Sequence, residues 1–120
     1  IFAGYVDDGT LSALYKNCVC SVLPSHYEGF GLPVLEAMVH GSPVIASNVS
    51  SIPEIAGNAA VLLPPNDARA WADEILKIYK GPVWRNELIE KGRKQAACFS
   101  WRETAGKTID VYRKVARRKN

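Results

Sequence analysis

The sequence predicts an α/β fold in which a parallel sheet of about four strands is flanked by helices in the Rossmann-like manner. Three observations predict it. Short apolar stretches alternate with stretches in which apolar residues recur at helical spacing. One stretch, Val19–Leu23, is apolar on both faces, which is typical of a buried parallel strand. The 120 residues are 48% hydrophobic and 22% charged, as expected of a single globular domain.

The first half of the chain alternates strand-like and helix-like stretches. Asp8 or Thr10 is expected to cap the first helix, because short polar side chains accept hydrogen bonds from the free amides of a helix start. Pro33 suits the first turn of the second helix, and Gly41 suits its end. In chain order, the predicted elements are strand Ile1–Val6, helix 10–17, strand Val19–Leu23, helix 32–40 and strand Pro43–Ala46.

The second half predicts one more strand and four helices. Ser51 with Glu54, and Ser100 with Glu103, have the form of capping boxes at helix starts. Strands that alternate with helices four times are joined by right-handed crossovers, which makes the sheet parallel. The predicted elements are a short helix from Ser51 to Gly57, strand Ala60–Leu63, a helix capped by Asn66 or Asp67 and ended by Gly81, a helix from Pro82 to Phe99, and a last helix from Ser100.

A glycine turn between the second strand and the following helix is the predicted ligand site. Gly29 and Gly31 allow the backbone to turn tightly or to approach a ligand closely. The free amides near Phe30, Gly31 and Leu32 are expected to point out of the turn, at the positive end of the helix dipole, where anions and most often phosphates bind. Ligands of parallel α/β sheets bind beyond the carboxyl ends of the strands, so the loop over residues 47–53 should converge on the same crevice.

Two carboxylates flank this turn. Glu28 lies in the turn itself, and Glu36 follows after seven intervening residues, at the end of the first helical turn. A simpler interpretation stays open from the residues alone. In that interpretation the glycines only form a turn, and Glu36 only complements the helix dipole.

The charge pattern limits the partners. The net charge is +3, and most of the excess lies at the end of the last helix. Such a basic end favours a solvated helix face, with contact to an anionic membrane surface or an acidic partner as the alternative. Nucleic acid is disfavoured, because no aromatic residues are interleaved with the basic ones. The basic residues are Arg113, Lys114, Arg117, Arg118 and Lys119.

The cysteines Cys18, Cys20 and Cys98 form neither a disulfide framework nor a zinc signature. They predict free thiols in a reducing compartment, hence a cytoplasmic protein, and the sequence predicts no bound metal. The chain contains no apolar run long enough to span a bilayer. It begins within the strand predicted at Ile1–Val6 and without a methionine, so we expect it to be a piece of a longer polypeptide.

The motifs resemble those of one enzyme family. The run EGFGLPVLEAM over Glu28–Met38 contains the paired glutamates, the turn glycines and the proline; GSPVIASNVSSIPEIAG over residues 41–57 follows, and FSW ends at Trp101. In this order they resemble the retaining, nucleotide-sugar-dependent glycosyltransferases of the GT-B architecture, glycosyltransferase family 4. The similarity runs from about Gly4 to Trp101, and residues 48–54 favour the bacterial mannosyl- and other hexosyltransferases of polysaccharide assembly.

The resemblance implies roles for the matching residues. Glu28 would be the catalytic carboxylate, in contact with the donor sugar near its reacting carbon and stabilising positive charge there. The backbone of residues 29–32 would hold the sugar and its phosphates, and Glu36 would accept hydrogen bonds from the ribose of the nucleotide. The implied partners are a nucleotide-sugar donor and a hydroxyl acceptor, either a glycan, a lipid or a small molecule. No metal or other cofactor is implied.

The resemblance also implies that parts of the enzyme lie outside this chain. Members of the family usually hold the diphosphate with an Arg and a Lys from the first part of this domain, and they bind the acceptor in an N-terminal domain. We therefore expect residues 1–120 to be a partial C-terminal domain that is inactive alone, with an exposed sheet edge at which a second copy could pair. Two other functions stay open: a non-catalytic nucleotide-sugar-binding or assembly module, and a nucleotide-sugar epimerase on a related scaffold.

Overall fold

The computed structural model describes residues 1–117 of the chain. Within them, three short strands form one parallel sheet in the order β1-β2-β3, with six helices around it. The predicted class, an α/β fold with a parallel sheet flanked by helices, is confirmed. The elements are α1 (Asp8–Asn17), β1 (Ser21–Leu23), α2 (Leu32–Val39), β2 (Val44–Ser47), α3 (Ile52–Ala56), β3 (Val61–Leu63), α4 (Ala68–Lys80), α5 (Pro82–Ala96) and α6 (Trp101–Arg117).

The sheet has three strands rather than the predicted four, because the segment Ile1–Val6 does not form a strand. A strand is held by hydrogen bonds to a neighbouring strand, and within residues 1–117 none lies beside this segment. Its large side chains are exposed to solvent, Phe2 to 106% and Tyr5 to 96%. Apolar composition alone was therefore an insufficient signal for a strand here.

β2 is the centre of the sheet, and all four of its residues are buried. Because side chains alternate between the faces of a strand, Val44 and Ala46 pack in a cluster with α2 and α3. Ile45 points to the other face and packs with α4 and α5. The prediction that β1 is buried on both faces was wrong, since β1 is an edge strand in which Val22 is 42% exposed.

α5 connects the two faces of the sheet. Midway along the helix Leu88 packs in the cluster of α4, and at its end Ala96 packs in the cluster of α2. Between them Gly92 lets α5 approach α2 closely, because a Cβ at this position would lie 3.1 Å from Cγ of Met38. This close approach fixes the position of α2 and hence of the loop in front of it.

Two helix caps use aspartates. Asp7, rather than the predicted Asp8 or Thr10, caps α1, and its carboxylate accepts the Thr10 N–H at 3.0 Å and the Thr10 hydroxyl at 2.7 Å. These hydrogen bonds hold the pKa of Asp7 below its ordinary value. Asp67 caps α4 as predicted, accepting the N–H of Ala70 at 3.0 Å.

The two predicted capping boxes have different outcomes. At the start of α6 only half of the box forms: the Glu103 N–H donates to Ser100 Oγ at 3.5 Å, whereas the Glu103 carboxylate pairs with Lys107 at 2.7 Å. At the start of α3, Ser51 makes no capping bond with its side chain, so that prediction was wrong. Gly41 follows the end of α2 with φ of +75°, as expected of a glycine at a helix end.

α6 is exposed along its whole length. Its apolar side chains recur at helical spacing and share one side of the helix, whereas the charged side chains occupy the other. The apolar residues on that side are Trp101, Ala105, Ile109, Tyr112, Val115 and Ala116, and Val111 lies at its border. At the basic end Arg113, Lys114 and Arg117 are exposed, and Arg118 and Lys119 lie outside the described residues.

Candidate functional site

The start of α2 is shaped by one glycine and one proline. Gly31 precedes the helix with φ of +101°, a conformation that side chains rarely adopt. A Cβ there would lie 3.8 Å from Cγ1 of Ile52, an ordinary contact distance, so the backbone conformation rather than space requires glycine. Pro33 occupies the first turn, where its missing N–H breaks no helical hydrogen bond.

The turn leaves a run of free backbone donors. Within residues 1–117, the N–H groups of Gly29, Phe30, Gly31 and Leu32 have no hydrogen-bond acceptor. The first N–H groups of a helix point out of its amino end, where the helix dipole adds positive potential. Free N–H groups at the positive end of a helix dipole are the features that bind anions such as phosphates in other proteins.

Glu28 is held between two loops. Ser25 Oγ donates to its carboxylate oxygen Oε1 at 2.6 Å. From the loop after β2, Ser50 Oγ accepts the Glu28 N–H at 2.9 Å, and Ser51 Oγ donates to the Glu28 carbonyl at 3.0 Å. The loops after β1 and β2 thus meet at the carboxyl ends of their strands, as the sequence predicted, and the second carboxylate oxygen is left available to a ligand.

Ser50 was missed by the sequence-based prediction. It is the one non-glycine among residues 1–117 with a positive φ, at 48°. Residues in this left-handed region are strained by about 1–3 kcal/mol, and they recur where structure serves a site. Its position in a polar loop after a strand was a signal for the site, but the strained backbone and the bond to Glu28 have no local signature.

Glu36 is held by α1 and by its own helix. The Tyr15 hydroxyl donates to Glu36 Oε2 at 3.3 Å, and the Tyr15 ring stacks on His40 with centroids 5.6 Å apart. His40 Nδ1 lies 2.7 Å from the Glu36 carbonyl oxygen. Burial, and then the nearby Glu36 charge, raise the pKa of Tyr15, so its hydroxyl stays protonated and donates. The sequence predicted Tyr15 only as part of the apolar face of its helix.

An apolar groove of about 310 Å³ runs beside the exposed side of α2. Two of its lining residues, Phe30 and Phe99, meet edge to face with ring centroids 6.3 Å apart. Glu36 and His40 supply polar atoms to its wall, so the groove borders the second carboxylate of the pair. It is lined by Phe30, Leu32, Leu35, Glu36, Val39, His40, Ala96, Phe99, Ser100, Trp101 and Thr104.

Among residues 1–117 the cysteines form no hydrogen bond with Glu28 or Glu36, although Cys18 Sγ lies 3.3 Å from the carbonyl oxygen of Tyr15. Cys18 Sγ is 3.1 Å from Ser42 Oγ, inside a small polar cluster under α1, and burial raises the pKa of the Cys20 thiol. All three are free, and Cys98 is exposed. Among residues 1–117, no three His, Cys, Asp or Glu side chains are grouped so as to hold a metal ion. Over the same residues, every helix is too short or too polar to cross a bilayer.

Comparison with known proteins points to one class of enzyme. Residues 1–95 match the family model described as glycosyl transferases group 1. The O-antigen chain mannosyltransferase B of Escherichia coli is 44% identical over 112 residues, which are 93% of this chain and 29% of that protein. A serotype-specific mannosyltransferase of Escherichia coli is 37% identical over 115 residues, which are 96% of this chain and 14% of that protein.

A solved structure is similar as well. Sucrose-phosphate synthase from Thermosynechococcus elongatus superposes with a TM-score of 0.84 at 36% identity, over 94% of this chain and 29% of that one. The chain thus spans 29% and 14% of the length of the two curated relatives described above.

Proposed function

Since the chain belongs to the glycosyl transferases group 1 family, we propose that it is the second part of the C-terminal, donor-binding domain of a retaining glycosyltransferase of family 4. Its fold is of the GT-B type. The complete enzyme would transfer a hexosyl group from a nucleotide-sugar donor to a hydroxyl acceptor. We favour mannose as the sugar, because the two curated relatives are named as mannosyltransferases.

The observation that carries this proposal is the run of four free N–H groups at the start of α2. The leaving group of glycosyl transfer from such a donor is a nucleoside diphosphate, which gains negative charge as the glycosidic bond breaks. N–H groups that already point toward the developing charge stabilise the transition state more than the ground state. Residues 29–32 therefore bind the donor phosphates and sugar in our proposal, and no metal or other cofactor is needed to hold them.

Glu28 is proposed as the catalytic carboxylate. Its carbonyl and N–H groups are bound by Ser51 and Ser50, which fix the backbone, and Ser25 fixes one carboxylate oxygen. The other oxygen can accept a hydroxyl of the donor sugar. A fixed negative charge beside the reacting carbon stabilises the positive charge that develops there.

Glu36 is proposed to bind the ribose of the nucleotide. A carboxylate accepts hydrogen bonds from two neighbouring hydroxyls with good geometry. Glu36 lies one helical turn beyond the free amides, with its side chain exposed and on the wall of the apolar groove. A nucleotide whose phosphates bind at the amino end of α2 can extend its ribose along the helix toward this carboxylate.

The rest of the enzyme would come from polypeptide outside this chain. We propose that an N-terminal domain binds the acceptor and that residues 1–120 alone transfer no sugar, in keeping with the small share of the relatives that the chain spans. We place the enzyme in the cytoplasm. Peripheral contact with an anionic membrane surface through the basic end of α6 stays a prediction, which cosedimentation with phosphatidylglycerol vesicles at low salt tests.

Substitution of the two glutamates in the complete polypeptide tests the proposal. Glu28→Gln keeps the shape and removes the charge, and we expect turnover to fall about 100- to 1,000-fold while donor binding changes little. Glu36→Ala is expected to raise the Michaelis constant for the donor about 10- to 100-fold, the effect of losing hydrogen bonds to a charged acceptor. Glu87→Gln, an exposed glutamate on α5, is the matched control and should behave as wild type.

Three outcomes separate the candidate functions. Donor turnover that depends on Glu28 supports the transferase. Nucleotide-sugar binding without any turnover in the complete polypeptide supports the binding module instead, and interconversion of the donor into an epimer supports the epimerase. Near-normal turnover of Glu28→Gln removes this residue from the chemistry.

A further inference from the structure

Glu36 has a partner that comes from a different element of the fold. Tyr15 lies on α1, 21 positions earlier in the chain, and its hydroxyl donates to Glu36 Oε2 at 3.3 Å. The Tyr15 ring stacks on His40, with the ring planes 22° apart. His40 in turn lies 2.7 Å from the Glu36 carbonyl through Nδ1. The three residues form a closed group, so the Tyr15 hydroxyl is aimed at the carboxylate from a fixed position.

This contact matters because Glu36 is otherwise free to move. An exposed glutamate on a helix samples several side-chain rotamers, and binding a ligand through it means losing that freedom. Only a rotamer that turns the carboxylate toward the nucleotide can accept both ribose hydroxyls. A hydrogen bond that selects one rotamer of Glu36 before the nucleotide arrives makes nucleotide binding more favourable.

We propose that Tyr15 is a positioning residue that presents Glu36 to the ribose of the donor nucleotide, an inference that rests on the proposed function. The hydroxyl occupies one lone pair of Oε2. A carboxylate has about four lone-pair sites on its two oxygens, so the rest stay available to the two ribose hydroxyls. Tyr15 does not touch the donor; it acts through Glu36.

The ring of Tyr15 has a separate, structural role, which the experiment must keep intact. Tyr15 packs against the core cluster that contains α2. Tyr15→Phe keeps this packing and the stacking on His40 and removes only the hydroxyl. Tyr79→Phe, an exposed tyrosine on α4, is the matched control for the loss of a hydroxyl elsewhere.

The experiment measures nucleotide binding by calorimetry in the complete polypeptide. The probes are the four common ribonucleoside diphosphates, and for the one that binds most tightly, the analogue whose ribose lacks both hydroxyls. We expect Tyr15→Phe to weaken binding of the ribonucleotide about 3- to 10-fold, in line with the loss of one hydrogen bond. It should leave binding of the analogue unchanged, and it should have no further effect once Glu36→Ala is present. With a donor that turns over, the Michaelis constant should rise and kcat should stay constant.

The outcomes separate this inference from the function on which it rests. If no ribonucleoside diphosphate binds the wild-type protein, or if Glu36→Ala leaves binding unchanged, the proposed donor site fails and the inference fails with it. If Glu36→Ala weakens binding but Tyr15→Phe does not, only the positioning role of Tyr15 is overturned. The same conclusion follows if Tyr15→Phe weakens binding of the analogue as much as binding of the ribonucleotide, since the effect then does not pass through Glu36.

Discussion

The two glycines of the turn should respond in opposite ways to replacement by alanine. Gly31 has φ of +101°, and an L-residue in a left-handed conformation is strained by about 1–2 kcal/mol. Gly29 lies outside that region of φ, and a Cβ added to it would meet no atom of the described chain within 4 Å. The fold of residues 1–117 therefore requires a glycine at position 31 and does not require one at position 29.

This contrast gives expected magnitudes. Gly31→Ala should lower the free energy of unfolding by about 1–2 kcal/mol. Gly29→Ala should leave it unchanged or raise it by about 0.4–1 kcal/mol, because alanine has fewer conformations in the unfolded chain. If a donor phosphate approaches the backbone at Gly29, the added methyl group should weaken donor binding about 10- to 100-fold, the equivalent of about 1–3 kcal/mol of steric strain.

The assay is a pair of measurements on the complete polypeptide, thermal unfolding and donor binding by calorimetry. If the Gly29→Ala variant unfolds at the wild-type temperature but binds the donor poorly, glycine is needed at position 29 because the ligand approaches the backbone there. Gly29→Ala that binds the donor normally would refute the close approach at this residue. Gly31→Ala with unchanged stability would refute the left-handed backbone at the start of α2.

Three further predictions concern the supports of the site. Ser50→Ala removes the acceptor of the Glu28 N–H, so turnover should fall about 3- to 10-fold in a steady-state assay with little change in the unfolding temperature. Asp7→Asn should lower the unfolding temperature at pH 7, because the carboxylate that caps α1 has a pKa below its ordinary value. In a pH titration this difference should begin to shrink as the pH falls toward about 3.9, the ordinary pKa of an unfolded aspartate, and should vanish only below the lowered pKa of the folded state, where the wild-type carboxylate is protonated. Gly92→Leu forces α5 away from Met38 and should destabilise the fold by about 1–3 kcal/mol in chemical unfolding.

Local patterns predicted the parts of the fold that depend on local chemistry. The start of α2 followed from Gly31 and Pro33, and the cap of α4 from Asp67, because in each case the residue type is selected by the backbone a few positions away. Strand Val44–Ser47 was predicted to within a residue, since a short apolar run is what a central strand requires on both of its faces. The strand predicted at Ile1–Val6 failed, because pairing depends on a neighbour that is distant in sequence.

For the candidate site, too, local features could be predicted from the sequence and contacts between distant residues could not. Glu28, the turn glycines and Glu36 could be named as site candidates from the sequence, because they lie within one stretch of chain, and their roles stay a prediction. The residues that hold the two glutamates in place were not found, because they come from other loops and helices. Ser51 illustrates the difficulty: its sequence context fits a helix cap, but its hydroxyl bonds instead to the Glu28 carbonyl, 23 positions away. Tyr15 was likewise assigned to the apolar face of α1, where its ring does pack against the core, and the hydrogen bond from its hydroxyl to Glu36 was not predicted.

The geometry around Glu28 depends on the register between β1 and β2. Leu23 lies opposite Ala46, and the buried hydroxyl of Ser47 donates to the Leu23 carbonyl at 3.3 Å, so the two strands end side by side. Both following loops start from these ends, which is why Ser50 can reach the Glu28 N–H. A slip of β2 by one residue would exchange the two faces of the strand, so that the large Ile45 side chain would enter the cluster of α2 and α3 and the small Ala46 side chain would enter the cluster of α4 and α5. Such an exchange would overpack one cluster and leave a cavity in the other, so side-chain volume in the core opposes the slip. The core thereby sets the position of the carboxylate that we propose for catalysis.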